Sequence, residues 1–140
     1  MDIRRFLRNN YGWNEYKKIS DLELIGLYKR AGYTNPPAKL IKFVSFFYNL
    51  EFKFPNHDIH FNVKRVLENN PHSLFFDQYR SLLGVTNITP FAEIEGGYVV
   101  IVADDDNNIY GICDDLVAGF GCDYYTMIET VANSTYRFCK

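Results

Sequence analysis

Three short apolar segments separated by turn-forming residues lie within residues 90–115, which read PFAEIEGGYVVIVADDDNNIYGICDD. The segments cover residues 90–95, 98–103 and 109–113. Gly, Asp and Asn occupy the two intervening turns, and these residues tolerate the positive φ angles that tight hairpin turns require. The pattern therefore predicts three consecutive antiparallel strands, a β-meander.

Helical signals dominate the chain before the first predicted strand. Residues 2–10 place apolar side chains on one side of a helix. Ser20 and Glu23 form a capping-box pattern, in which the hydroxyl and the carboxylate satisfy free amides at a helix start. A further helix opens at residues 36–37, both Pro, and has a wide apolar face that runs to residue 50. We expect Phe43, Val44 and Phe47 on that face to be buried.

The central part of the chain shows strand-like alternation first and helical spacing of apolar residues afterwards. Residues 52–54 and 59–63 alternate apolar and polar side chains and predict two short strands. Two helices are predicted around residues 63–70 and 76–83, and Asp123 is placed to cap a last helix. The whole predicts a single α+β domain over residues 1–140. Its N-terminal helices precede a central antiparallel sheet with the three-strand meander, and its C-terminal helix packs on the sheet.

Charge is distributed very unevenly along the chain. Residues 1–80 contain 13 Lys and Arg against 8 Asp and Glu. Residues 81–136 contain nine Asp and Glu and no Lys or Arg. An acidic surface of this kind keeps a protein soluble, or it steers and docks a basic partner, and the sequence leaves both readings open.

Several segments resemble a known family. Residues 6–13, FLRNNYGW, form an opening helix that ends in Gly-Trp, and residues 43–50 read FVSFFYNL. The meander follows, and then residues 119–123 and the last helix. In this order the segments resemble the SUKH superfamily, also called the Smi/Knr family, and especially its bacterial branch.

This resemblance implies a function without chemistry. Bacterial members of the family are immunity proteins, which bind and block a toxin of the cell's own polymorphic toxin system, commonly a nuclease or a deaminase. The family has no catalytic residues to carry over. The expected partner is a basic protein toxin, because a nuclease groove must attract phosphates. The open alternatives are an intracellular scaffold or regulatory binding protein, and a small hydrolase whose site is assembled from distant residues.

The expected partner-binding surface combines carboxylates of the acidic half with aromatic anchors. Dense carboxylates accelerate association with a basic protein, and buried aromatic anchors then set the affinity. Tyr98 and Tyr125 are further candidate anchors. The predicted set is Glu93, Glu95, Asp104, Asp105, Asp106, Tyr110, Asp114, Asp115, Phe120 and Tyr124.

Metal and catalytic motifs are weak throughout. His57 and His60 have a spacing that allows half a metal site, but no third Cys or His lies nearby in sequence. Residues 104–108 fit a hairpin turn better than a calcium loop, since position six is not Gly and position twelve is not Glu. No phosphate loop or dinucleotide fingerprint occurs. We expect no metal, no cofactor and no catalytic residue.

The cysteines, the basic residues and the length of the apolar runs indicate the compartment and the class of partner. Cys113, Cys122 and Cys139 occur without an export signal, which indicates reduced thiols in a cytoplasmic protein. Basic residues near the N-terminus, among them Arg4 and Lys17, are interspersed with acids, so nucleic-acid binding is not expected. The longest apolar run is too short to span a membrane. We expect a monomer or a weak dimer.

Overall fold

The structure is a computed structural model that describes residues 2–138, without the side chains of residues 73–76. This part of the chain forms six α-helices around one six-stranded sheet. The helices are α1 (Ile3–Tyr11), α2 (Asp21–Arg30), α3 (Ala38–Ser45), α4 (Val63–Asn69), α5 (His72–Leu83) and α6 (Tyr124–Asn133). The strands are β1 (Glu51–Lys53), β2 (Asp58–His60), β3 (Ile88–Ile94), β4 (Val99–Asp104), β5 (Ile109–Cys113) and β6 (Leu116–Gly119).

The sheet is antiparallel throughout, and each strand lies beside the one that precedes it in the chain. The α+β fold and the predicted meander are thereby confirmed, with the meander strands forming β3, β4 and β5. The predicted strand at residues 109–113 coincides with β5. Strand β6 was not anticipated, because its four residues, LVAG, are too few to show an alternating pattern.

Helix starts follow the predicted caps. The Ser20 hydroxyl accepts a hydrogen bond from the Glu23 amide, and the Asp123 carboxylate accepts one from the Thr126 amide. Helix α3 ends at Ser45, five residues before the apolar pattern does, because the chain turns there and Asn49 adopts a left-handed conformation. Helix α5 begins four residues earlier than predicted, directly after Pro71.

One face of the sheet is covered by α1, α3 and α6 through aromatic packing. Phe43, Val44 and Phe47 are buried as predicted. The Phe47 ring stacks on Trp13, with centroids 4.8 Å apart, and it also contacts Phe52 of β1. Burial of these large side chains supplies most of the hydrophobic stabilisation on this side.

The second face carries a row of cross-strand neighbours. Register places His60 opposite Glu93, Glu93 opposite Val100, Val100 opposite Ile112 and Ile112 opposite Val117. Since paired residues in an antiparallel sheet project to the same side, this row forms one continuous strip. Helix α4 packs beside it on β3, and the strip becomes the floor of a groove.

Candidate partner-binding groove

The predicted acidic residues divide between the two ends of the sheet. Asp105 and Asp106 lie in the β4–β5 turn, and Asp114 and Asp115 lie in the β5–β6 turn. Strand β5 separates these turns, and at about 3.4 Å per residue its length keeps them about 15 Å apart. The two acidic turns therefore do not form one continuous acidic patch. Only Glu95, in the β3–β4 turn, shares an end with the Asp114 turn.

Asp104 is buried, in contrast to the expected exposed carboxylate. Its Oδ1 atom accepts hydrogen bonds from the backbone amides of Asp106 and Asn108, both at 2.9 Å. Its Oδ2 atom accepts from the Asn108 side-chain amide at 3.1 Å and from the Tyr110 hydroxyl at 3.4 Å. These four hydrogen bonds hold the β4–β5 turn around the buried carboxylate. The neighbouring charge and burial raise the pKa of half-buried Tyr110, with burial the larger cause.

Two predicted aromatic anchors are core residues. Phe120 is 4 % exposed and packs over Gly111, which has no Cβ atom to obstruct the ring. Tyr124 stacks on Phe43 with centroids 4.9 Å apart, and its hydroxyl donates to the Asn107 side chain. Both rings are held by internal contacts, so neither presents a surface anchor. Tyr98, at 82 % exposed, is the candidate whose ring faces solvent.

A groove with a volume of about 220 Å³ runs along the second face of the sheet between β3–β5 and the helices α4 and α5. We call it the acidic groove. Its floor is formed by Glu93, Val100 and Ile112, which belong to the cross-strand strip. Polar side chains and two turns complete the lining. The remaining members are Asn69, Asn70, Tyr79, Gly97, Tyr98 and Asp114.

Glu93 lies in the floor of the acidic groove and is 2 % exposed, so the prediction of a surface carboxylate is corrected here. Its Oε1 atom is 2.8 Å from His60 Nε2, and its Oε2 atom accepts from the Asn69 amide at 3.2 Å. Burial acts to raise the pKa of this carboxyl. The hydrogen bonds from His60 and Asn69, together with the nearby Arg65 charge, outweigh burial and lower the pKa below its ordinary value.

His60 is fixed in one tautomer by its two neighbours. Its Nδ1 atom accepts a hydrogen bond from the Asn62 backbone amide at 3.2 Å. The ring proton is therefore on Nε2, which donates to Glu93. Both ring nitrogens are engaged, and the Nε2 contact orients Glu93.

The exposed acidic side chain at the mouth of the groove is Asp114. Its backbone has φ 54°, a left-handed conformation that Asp adopts more readily than most residues. Burial, with the Asp114 and Cys113 charges as lesser causes, raises the pKa of Tyr79 across the groove. A carboxylate, a phenol and two Asn side chains around an opening of this size suit the ammonium or guanidinium of a partner side chain.

Glu95 stands just outside the groove in a cluster that the sequence did not reveal. His57 Nδ1 lies 2.5 Å from Glu95 Oε1, and the Tyr136 hydroxyl donates to the same oxygen. Burial, and then the hydrogen bond and charge of Glu95, raise the pKa of Tyr136 well above its ordinary range. The described contacts of His57 are with Glu95 and Tyr136. The cluster ties the C-terminal segment to the end of the sheet.

Each histidine of the predicted half-site thus faces a different Glu, His57 with Glu95 and His60 with Glu93. Within residues 2–138, no group of three His, Cys, Asp or Glu side chains is arranged to hold a metal ion.

Among the described helices, none has the length and apolar content needed to cross a membrane. No family model, curated protein or solved structure matches this chain.

Proposed function

We propose that the chain is an immunity protein that binds and neutralises a basic protein toxin, and that it does so without chemistry. The observation that carries this proposal is the acidic groove, with Asp114 at its mouth and the exposed Tyr98 ring on its rim. The absence of Lys and Arg from residues 81–136 and the resemblance to the SUKH superfamily also support it.

Inhibition follows from charge and packing. A nuclease toxin holds its substrate in a basic groove, so its cationic side chains are attracted to a surface that imitates the phosphates. One Lys or Arg of the toxin enters the acidic groove and pairs with Asp114. Tyr98 packs beside it and is covered by the complex. Asp115 and Glu95, at the same end of the sheet, extend the acidic rim.

The proposed compartment is the cytoplasm, where the toxin would otherwise act. Asp105, Asp106 and Tyr110 belong to the opposite end of the sheet, so they are assigned no contact with the same toxin side chain. The complex is expected to form from one copy of each chain, because the proposed contact uses a single groove.

The test uses a candidate toxin, the C-terminal domain of the protein encoded by the gene immediately upstream of the one for this chain. The domain is produced in bacteria with and without this chain, and growth is recorded. Binding of the purified proteins is measured by surface plasmon resonance at about 50 mM and about 500 mM salt. Asp114→Asn is the charge variant and keeps the left-handed turn, which Asn also tolerates. Asp106→Asn is its matched control at the far end of the sheet.

Asp114→Asn should slow association several-fold at low salt and have little effect at high salt, because salt screens the attraction. Tyr98→Ala should mainly accelerate dissociation, by about 30-fold if the ring is a hot spot. If Asp106→Asn slows association and Asp114→Asn does not, the groove is not the docking surface. If the upstream domain is neither bound nor neutralised, the immunity proposal fails and a regulatory binding role becomes the alternative.

A further inference from the structure

A second cleft lies on the opposite face of the sheet, between α1, α3 and the start of α6. It has a volume of about 290 Å³, and we call it the basic cleft. Phe47, two residues beyond α3, contacts Phe52 on the sheet face opposite the one that carries Glu93 and the acidic groove. The lining consists of Arg4, Lys39, Lys42, Phe43, Phe46, Cys122, Asp123, Tyr124 and Tyr125.

Three cations surround this cleft without acidic partners. Arg4, Lys39 and Lys42 are exposed, and none of them forms an ion pair with another described residue. The one acidic side chain in the lining is Asp123, whose Oδ1 atom accepts a hydrogen bond from the α6 backbone at 2.8 Å. Burial raises the pKa of Tyr125, and the charge of Glu15 is a lesser cause, but Glu15 is itself paired with Arg8. The cleft therefore has a net positive charge.

Arg4 is oriented for an anion. Its guanidinium carbon lies 4.0 Å from the centroid of the Tyr125 ring, in a cation–π contact. The N–H groups of a guanidinium lie in its plane and remain free to donate when its face is stacked. Such an edge binds two oxygens of one anion at once. Lys39 and Lys42, three residues apart on α3, lie on one side of that helix and add two more donors.

The floor of the cleft is aromatic. Half-buried Phe46 and Tyr125 offer the accessible aromatic surface of the lining, whereas Phe43 and Tyr124 are stacked on each other and buried. A purely inorganic anion would leave this surface without a partner. A flat apolar group buries it and adds dispersion contacts, while the anionic end meets the three cations.

We infer that the basic cleft binds a phosphate monoester with a flat apolar body, such as a nucleoside monophosphate. A phosphate monoester carries about two negative charges at neutral pH, which matches three cations better than a single carboxylate does. The site is independent of the proposed toxin contact, because it lies on the other face of the sheet and has the opposite charge.

The experiment is calorimetric titration of the full chain at about 50 mM salt with three probes, AMP, adenosine and inorganic phosphate. AMP should bind saturably, and adenosine and inorganic phosphate should each bind at least about tenfold more weakly. Arg4→Gln and Lys42→Gln should each weaken AMP binding by about tenfold, since each removes a charged hydrogen-bond donor. Lys29→Gln, at an exposed position on α2 away from the cleft, is the matched control and should bind AMP normally.

Cys122 gives a second readout at the rim of the cleft. In a variant with Cys113→Ser and Cys139→Ser, AMP should slow the modification of Cys122 by a thiol reagent, and adenosine should not. The inference is overturned if AMP shows no saturable binding below about 10 mM, or if Arg4→Gln and Lys42→Gln both retain full affinity. It is also overturned if inorganic phosphate binds as tightly as AMP, because the aromatic floor would then play no part.

Discussion

Replacing Asp104 by Asn tests whether this buried carboxylate has a structural role that exposed Asp105 and Asp106 do not share. In the protein, Asp104 Oδ1 accepts two backbone amides and Oδ2 accepts the Asn108 side chain and the Tyr110 hydroxyl. An Asn in this place keeps an oxygen for the two amides but loses the charge. Its NH2 group would face the Asn108 NH2 group, and two donors cannot bond to each other.

The magnitude follows from the number of contacts that change. One charge-assisted hydrogen bond is lost, a second has to reverse its direction, and the residue is only 5 % exposed, so water compensates poorly. We expect Asp104→Asn to lower the free energy of unfolding by about 1–2 kcal/mol. Asp104→Ala, which removes all four contacts, should cost about 2–4 kcal/mol. Asp105→Asn and Asp106→Asn should stay within about 0.5 kcal/mol of the unmodified protein, because both are exposed.

Urea unfolding followed by circular dichroism at about pH 7 measures these differences, provided that the slope of the transition is unchanged. Asp106→Asn is the matched control, since it removes the same charge two residues away. If Asp104→Asn and Asp106→Asn have equal midpoints, the Asp104 hydrogen bonds contribute nothing and the reasoning is refuted.

Three further changes test the core and the Glu93 pair. Phe47→Ala should cost about 3–5 kcal/mol by urea unfolding because it opens a cavity, and a loss below about 1 kcal/mol would contradict the packing. Gly111→Ala should cost about 1–3 kcal/mol, because the new Cβ atom would lie 2.8 Å from the Phe120 ring; unchanged stability would show that the ring yields freely. Since the fold lowers the pKa of Glu93, it stabilises the ionised form, so this contribution is present above the ordinary carboxyl pKa and is lost as the pH falls through the lowered one. The stability lost between about pH 7 and about pH 3 should therefore shrink in Glu93→Gln and not in Glu51→Gln, and an equal loss in both would contradict the role of the His60 contact.

Local signals predicted much of the fold. Ser20 and Asp123 act through amides three residues away, so the sequence around each is sufficient to place a helix start. The end of α3 was harder to predict, because four of the five residues 46–50 are apolar although the helix has stopped at Ser45 and the chain continues as a turn beside the sheet. Tertiary packing, which no local pattern records, decides that boundary.

The candidate site was predicted less well. Charged side chains are usually exposed, so Glu93 and Asp104 were expected at the surface. Asp104 can be buried because the backbone amides of Asp106 and Asn108 in its own turn donate to it. Glu93 can be buried because His60 pairs with it from 33 residues away. Such pairing depends on strand register, which a single sequence does not define.

The order of the strands also has a consequence for how the chain folds. Five neighbouring strand pairs form the sheet, and four of them are joined by short turns, so their contacts close small loops. Between β2 and β3 the chain instead passes through α4 and α5, and closing that interval costs more entropy. Because loop closure of this kind limits folding rates, we expect β3–β6 to assemble early and the β1–β2 hairpin to join last. The floor of the acidic groove lies on β3, β4 and β5 and would form early, whereas His60 of β2, which orients Glu93 in that floor, would arrive last.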